Sequence, residues 1–230
     1  MDTARIAALL EPFLEQPLSS FQLDQISTYI DLLLRWNARI NLTAIRHPEE
    51  IVTRHFGESF FLARHLFPEG TPGSVSTQAL EGAPSKLRLG GGVRVLDIGS
   101  GAGFPALPLK IWAPNTHLTL IESNRKKAAF LREVSRALTL TNINVMADRA
   151  EALAARPDFP RADIVTLRAV ERFETILPQA VTFLAPSGCL ALLVGASQIP
   201  RLAALTTLKW QPPIHVPKSH ERLLSIGVHR

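Results

Sequence analysis

Residues 93–109 read Val93-Arg94-Val95-Leu96-Asp97-Ile98-Gly99-Ser100-Gly101-Ala102-Gly103-Phe104-Pro105-Ala106-Leu107-Pro108-Leu109, and the fold turns on them. The apolar run Val93, Val95, Leu96 and Ile98 predicts a buried strand. Three glycines at alternate positions break that run, and the apolar segment Leu107 to Trp112 predicts a helix beyond them. A strand-to-helix turn stripped of side chains lets a ligand approach backbone N–H groups near a helix N-terminus. Two common ligands do not fit the spacing. A dinucleotide fingerprint needs its third glycine at position 104, where Phe104 stands, and a P-loop needs a Gly-Lys-Ser/Thr that does not follow. What remains is an acid inside the strand end, Asp97, followed by Gly99, Gly101 and Gly103.

Beyond this turn the chain alternates. His117 to Ile121 predicts a strand ending at Glu122, and Asn124 to Leu138 a helix with Ala128, Leu131, Val134 and Leu138 inward. Further strands are expected at Ile143–Met146, Ala162–Thr166 and Cys189–Val194, with an apolar helix over Ile176–Leu184. Pro212–Val216 and Leu223–Val228 read as a final antiparallel pair. The pattern predicts an α/β fold with a doubly wound, mostly parallel, seven-stranded sheet. Ahead of it, Ser19-x-x-Gln22 predicts a capping box opening an amphipathic helix through Leu23, Ile26, Ile30, Leu33 and Leu34. Asn41-Leu42-Thr43 reads as a turn, and a second helical stretch carries Ile51, Val52, His55, Phe56 and Phe60 to Leu62. Eleven of the 24 residues from 69 to 92 are Gly, Pro or Ser, which predicts a flexible linker. The expected organisation is a helical region at 1–68, a linker at 69–92 and a core at 93–230.

Composition narrows the function classes. No run approaches the roughly 18 apolar residues that span a bilayer, and Met1 to Ile6 does not open a secretory leader. A cytoplasmic monomer without membrane contact is expected. The single Cys189 sits in an apolar run and reads as a packed, inert thiol. His55 and His65 lie ten residues apart with no Cys or paired carboxylates to complete a site, so no metal is expected and each histidine reads as a capping or hydrogen-bonding group. Net charge is +5, but residues 1–70 hold 6 Lys+Arg against 9 Asp+Glu, so the basic excess belongs to the part with the glycine turn. A polyanionic partner would meet that part.

In doubly wound sheets ligands bind at the carboxyl ends of the strands, near the switch in strand order. The glycine pattern resembles the first motif of class I S-adenosylmethionine (SAM) methyltransferases, a Rossmann-like fold. On that resemblance the strand ends take roles in turn. Glu122, nineteen residues beyond Gly103, suits the ribose hydroxyls; its alternative is an acid complementing the helix at 124. Ala147-Asp148-Arg149-Ala150-Glu151 offers backbone and carboxylate to an adenine edge. Arg168 would meet the methionine carboxylate or an RNA phosphate, with a structural ion pair as the alternative for it and for Arg149. Amino methylation of adenine usually places Asn/Asp-Pro-Pro-aromatic after the fourth strand, where Leu167-Arg168-Ala169-Val170 stands. Pyrimidine carbon methylation needs a nucleophilic cysteine. A ring nitrogen with a free lone pair, such as guanine N7, needs only placement against the methyl group.

With these residues in view, the chain resembles the glucose-inhibited division protein B family of small-subunit ribosomal RNA guanine-N7 methyltransferases. The resemblance runs through Tyr29 to Leu34, Trp36-Asn37 with Asn41-Leu42-Thr43-Ala44-Ile45, Arg54-His55 before Glu58-Ser59, and Asp97 to Pro105. It continues in Arg149-Ala150-Glu151, Arg168-Ala169 and Glu221-Arg222-Leu223. It implies SAM as methyl donor and the small subunit with its 16S rRNA as partner. SAM contacts are implied at Gly99, Phe104, Ala150, Glu151 and Arg168, beside Asp97, Gly101 and Glu122 from the turn and the second strand. Arg149 and Arg222 match positions tied to RNA or catalysis, which with Arg168 makes three candidate catalytic residues. The chain departs from the family where Val194 replaces a common Lys, Glu58 a common Asp, Ala106 a Gly and Leu167 a Ser. A methyltransferase of another substrate, or a non-catalytic ribosome-binding protein keeping the fold, are the alternatives.

Overall fold

A computed structural model describes residues 1–68, 92–168 and 173–229. Most of the expected linker, residues 69–91, therefore lies outside the described residues. The helices are α1 (Thr3–Leu10), α2 (Ser20–Ile40), α3 (Pro48–Glu50), α4 (Glu58–Leu66), α5 (Ala106–Trp112), α6 (Arg125–Ala137), α7 (Ala150–Ala154), α8 (Phe173–Thr182) and α9 (Ile199–Leu202). A π-helical segment, Ile51–Gly57, joins α3 to α4. The strands are β1 (Arg94–Ile98), β2 (His117–Ile121), β3 (Ile143–Met146), β4 (Ala162–Arg168), β5 (Leu184–Gly195), β6 (Leu208–Trp210), β7 (Ile214–His215) and β8 (Arg222–His229).

The sheet order is β3-β2-β1-β4-β5-β8-β6, with β7 also on β8. The first five strands run parallel, and β8 joins antiparallel to β5, β6 and β7. Among the described residues there are eight strands rather than the expected seven. The addition is β6, whose three residues are too few to produce an alternation in sequence and which exists through pairing with Gly227 to His229. The order reverses between β1 and β4, which places the switch point beside the glycine turn.

Alternation along each strand sorts side chains onto two faces. Val95, Cys189, Ala191, Leu193, Leu224 and Ile226 enter one core; Leu96, Ile98, Leu190, Leu192 and Leu223 enter the other. The first core is roofed by α5, α6 and the N-terminal helices, through Ile26, Tyr29, Phe56, Phe60, Leu107 and Phe130. The second is covered by α7 and α8, through Leu153, Ile176 and Leu177. The helices before residue 69 thus bury their apolar faces on the sheet's own roof.

Local signals set the boundaries. In α2, Gln22 N–H donates to Ser19 Oγ at 3.3 Å and Ser19 N–H to Gln22 Oε1 at 2.9 Å, the reciprocal capping box. The helix stops at Asn41, whose φ of 48° lies in the left-handed region that asparagine tolerates. Asn37 then builds the turn: its Oδ1 accepts from Thr43 N–H at 3.0 Å and its Nδ2 donates to Thr43 O at 2.9 Å. At α6, Asn124 Oδ1 accepts from the N–H groups of Lys126 and Lys127 at 2.9 and 3.2 Å.

Candidate functional site

The site lies along the carboxyl ends of β1, β2, β3 and β4, with the first residue of β8 beside them. On the β1 side the glycine turn is tied down from within. Gly99 N–H and Ser100 N–H donate to Ile121 O at 2.9 and 3.0 Å, and Gly103 N–H donates to Ser100 O at 2.6 Å. Gly101 N–H donates to Glu122 Oε2 at 2.8 Å. These donors are spent on the protein, contrary to the expectation that the turn aims its N–H groups at a ligand.

The glycines serve space instead. Gly99 has φ +69°, and a β-carbon there would meet nothing within 4 Å, so this position faces an opening. A β-carbon on Gly103 would lie 2.4 Å from the Tyr29 hydroxyl and 2.6 Å from a Leu107 methyl, so this glycine lets α2 dock on the turn. Tyr29 donates to Ala102 O at 2.5 Å, and its ring stacks on Phe104 at 5.3 Å. His55 stacks on Phe104 at 4.7 Å. Protein rings therefore lie against Phe104 on two sides.

Asp97 is 1% exposed. Its Oδ1 accepts from the Thr166 hydroxyl at 2.6 Å, while Oδ2 is buried without a partner. Burial pushes its pKa up to about 7, against the hydrogen bond from Thr166 and with help from the Glu122 charge. Glu122 bridges two elements, accepting from Gly101 N–H on Oε2 and from Asn124 N–H at 2.7 Å on Oε1. The second contact realises the helix-start role, and lone pairs remain for further donors.

Across the switch point stands an arginine cluster that sequence reasoning did not anticipate as a unit. Arg168, at the end of β4, donates from Nη2 to Glu58 Oε2 at 2.9 Å and to Arg54 O at 2.5 Å. Arg222 Nε lies 3.5 Å from the same carboxylate oxygen. The side chains of Glu58 and Arg168 are 4% and 8% exposed, and Arg168 Nη1 is buried with no partner. Burial lowers the Arg168 pKa to about 10, which leaves it a cation at neutral pH. The structural ion pair is therefore real for Arg168, yet part of its guanidinium remains unused. Glu58 had one signal in sequence: an acid within Phe56-Gly57-Glu58-Ser59-Phe60-Phe61-Leu62 has no polar face to occupy and must find a cation.

His55 closes the cluster. Its Nε2 is 2.8 Å from Thr43 Oγ1, a hydroxyl that accepts from Ile45 N–H at 3.1 Å, and its Nδ1 is buried and unpartnered. Burial, then the charges of Arg168, Arg54 and Arg222, push its pKa down to about 3, so the imidazole is neutral. The reading of His55 as a hydrogen-bonding group holds. Arg149 and Glu151 are exposed at the start of α7, with Ala150 buried between them, and Arg149 pairs with no carboxylate among the described residues. Val194 is buried and registers with Leu223, one residue before Gly195 registers with Arg222. Among the described residues no group of three or more His, Cys, Asp or Glu side chains is arranged to hold a metal, and no helix is long and apolar enough to cross a membrane.

Residues 22–71 and 83–214 match the GidB family, described as rRNA small subunit methyltransferase G. The chain belongs to this family. It is 36% identical over 222 residues to the ribosomal RNA small subunit methyltransferase G of Chloroflexus aggregans, covering 91% of this chain and 83% of that one. The Bacillus subtilis protein of the same name is 35% identical over 196 residues, covering 83% and 73%. Among solved structures, a putative O-methyltransferase from Klebsiella pneumoniae superposes with a TM-score of 0.60 at 15% identity, covering 88% of this chain and 90% of that one. The fibrillarin/Nop5p complex gives 0.51 at 17% identity, covering 62% and 75%. At such identities these two establish the fold alone. The chain is thus a methyltransferase-family enzyme with the doubly wound sheet expected from its sequence.

Proposed function

We propose that this enzyme transfers a methyl group from SAM to N7 of a guanine in 16S rRNA of the small ribosomal subunit. The observation that carries the donor half is a matched pair of buried, unpartnered atoms, one on an acid and one on a base: Asp97 Oδ2 on β1 and Arg168 Nη1 on β4. They flank the switch point, beside the opening at Gly99. An amino acid's ammonium and carboxylate satisfy both, so these residues fit the methionine end of SAM. Glu122 retains lone pairs for ribose hydroxyls, and Ala150 with Glu151 stands at the next strand end for the adenine. Phe104, covered by Tyr29 and His55, is left with its backbone for the donor. When bound, SAM supplies an electrophilic methyl on a sulfonium sulfur.

The protein's own part is placement. Guanine N7 has a free lone pair and no proton to remove, so the site needs orientation and no strong base. His55 suits this, because an imidazole that protonates only near pH 3 adds no cation beside the methyl donor. The acceptor half rests on the family. Arg149 and Arg222, at the outer strand ends, are the candidates for the RNA side.

Incubating the protein with labelled SAM and small subunits from a strain lacking this modification should label one guanine, at N7. Labelling of another atom, or of protein, would replace the acceptor assignment. SAM binding and subunit binding without any methyl transfer would make it a non-catalytic ribosome-binding protein. Gly99→Val should abolish SAM binding by filling the opening, and unchanged affinity would refute the role of the turn.

A further inference from the structure

The N-terminal region is acidic overall, yet its charges are segregated. Asp2, Glu11, Glu15, Asp24 and Asp31 all precede Leu32, and residues 32–46 carry Arg35, Arg39 and Arg46 with no acid. Packing brings this basic end of α2 to the basic start of α6. Gln25 Nε2 donates to Leu138 O at 2.9 Å, and eleven residues later Trp36 packs on Phe130 at 5.7 Å. The two helices therefore run antiparallel. The last turn of α2, with Arg39, ends beside the first turn of α6, with Arg125, Lys126 and Lys127. That end is the cofactor end, since Glu122 just before α6 holds Gly101 of the glycine turn.

The cations of this ridge meet no carboxylate among the described residues, and Arg46 Nη2 donates only to Asn41 Oδ1, at 3.5 Å. Five arginines elsewhere are matched to carboxylates, Arg5 with Glu49, Arg64 with Glu15, Arg94 with Asp163, Arg156 with Asp158 and Arg201 with Glu174, whereas Arg132, Arg136, Arg149 and Arg161 share the ridge's lack of an ion pair among the described residues. Among the described residues no carboxylate lies within 4 Å of Arg35, Arg39, Arg46, Arg125, Lys126 or Lys127. All but the half-buried Lys127 are exposed. The first turn of α6 contains no acid, so its three cations sit where the helix dipole opposes them. A fold gains nothing from that arrangement by itself. An external anion relieves it.

We propose that the α2–α6 ridge is a phosphate-binding surface that holds the RNA backbone beside the target nucleotide, so that the acidic N-terminal region supplies half of the RNA clamp. The inference rests on the rRNA reading above and goes beyond it, because sequence charge alone had assigned the polyanion to the core. A nucleic acid is favoured over a membrane surface by the absence of apolar anchors on the ridge. The large hydrophobic side chain that stands exposed among the described residues is Phe21, at the opposite end of α2. Backbone phosphate contacts fix register and orientation without reading sequence, as a ridge of flexible cations does.

The test uses full-length protein, SAM and small subunits lacking the modification, at a series of potassium chloride concentrations. Arg35→Ala with Arg39→Ala, and separately Lys126→Ala with Lys127→Ala, should each raise the KM for subunits about tenfold or more at ~0.1 M salt. Each should also flatten the slope of log affinity against log salt by roughly one for every phosphate contact removed. SAM affinity and kcat at saturating subunits should stay within about twofold. Arg156→Ala with Arg201→Ala, a charge-matched control on paired arginines, should leave KM and slope unchanged. Unaltered KM and slope in both ridge variants would overturn the proposal, as would an equal loss in the control. If wild-type protein labels no subunit RNA at any salt, the rRNA reading itself fails, a result distinct from active ridge variants.

Discussion

The two flanks of the switch point are built on opposite plans. The β1–β2 flank is local: Asp97, Gly99, Gly101 and Glu122 come from two neighbouring strand ends, and the carboxylate of Glu122 is held by backbone N–H groups. The β4–β8 flank is assembled at long range, with Glu58, Arg168 and Arg222 drawn from three distant segments onto one carboxylate oxygen. A local flank is held by the chain's own turns and caps. A long-range flank is held by charge, and depends on every partner being present. The largest effects of mutation should therefore fall on the second.

Arg168→Ala should destabilise the protein by about 2–4 kcal/mol, because it leaves the buried Glu58 carboxylate with only the longer 3.5 Å contact to Arg222. Denaturant unfolding would show it. Combining Arg168→Met with Glu58→Leu should recover most of that loss while SAM binding stays absent, separating the cofactor role from the ion pair. Equal stability of the single and double variants would remove the distinction between the flanks. On the local flank, Gly103→Ala should cost about 1–3 kcal/mol through overpacking against Tyr29 and Leu107. Tyr29→Phe should relieve part of it in the thermal melt.

The flanks also differ in pH response. Asp97 holds its proton up to about pH 7 in the folded chain but releases it near 3.9 when unfolded, so its contribution is full below about pH 4 and is lost as pH rises through 7. His55 refuses until about pH 3 a proton that the unfolded chain takes near 6.5, so its contribution is present above about 6.5 and is lost as pH falls toward 3. The slopes, each up to about 1.4 kcal/mol per pH unit, oppose between about pH 4 and 6.5. Asp97→Asn should expose a loss of stability on acidification, and His55→Gln a loss on alkalinisation, each read from melting temperature against pH. The smallest effect expected is Thr43→Val, about 1 kcal/mol for the hydroxyl on His55.

What was legible in the sequence follows the same division. The capping box at Ser19, the turn at Asn41, the glycine turn and Glu122 each act within a few residues or at the next strand end. Arg168 was visible as a strand-end arginine and Arg222 through the family resemblance, but their meeting at Glu58 was not, because no spacing in the chain encodes contacts across 110 and 164 residues. The tethering of the glycine N–H groups also escaped sequence, since their acceptors, Ile121 O and the Glu122 carboxylate, sit on the neighbouring strand end and so depend on the β1–β2 pairing.

By itself, then, the sequence of residues 93–109 with its following strands pointed to a mostly parallel α/β sheet and to a glycine turn that fits neither a dinucleotide nor a P-loop, because hydrophobic periodicity and glycine spacing are local properties. Tertiary structure alone decided that Gly99 opens space where Gly103 docks a helix, that one carboxylate holds two arginines, and that the acidic N-terminal region turns its basic end to the rim of the glycine turn. Those outcomes depend on which distant side chains packing brings within a few ångströms, and burial then fixes their charge.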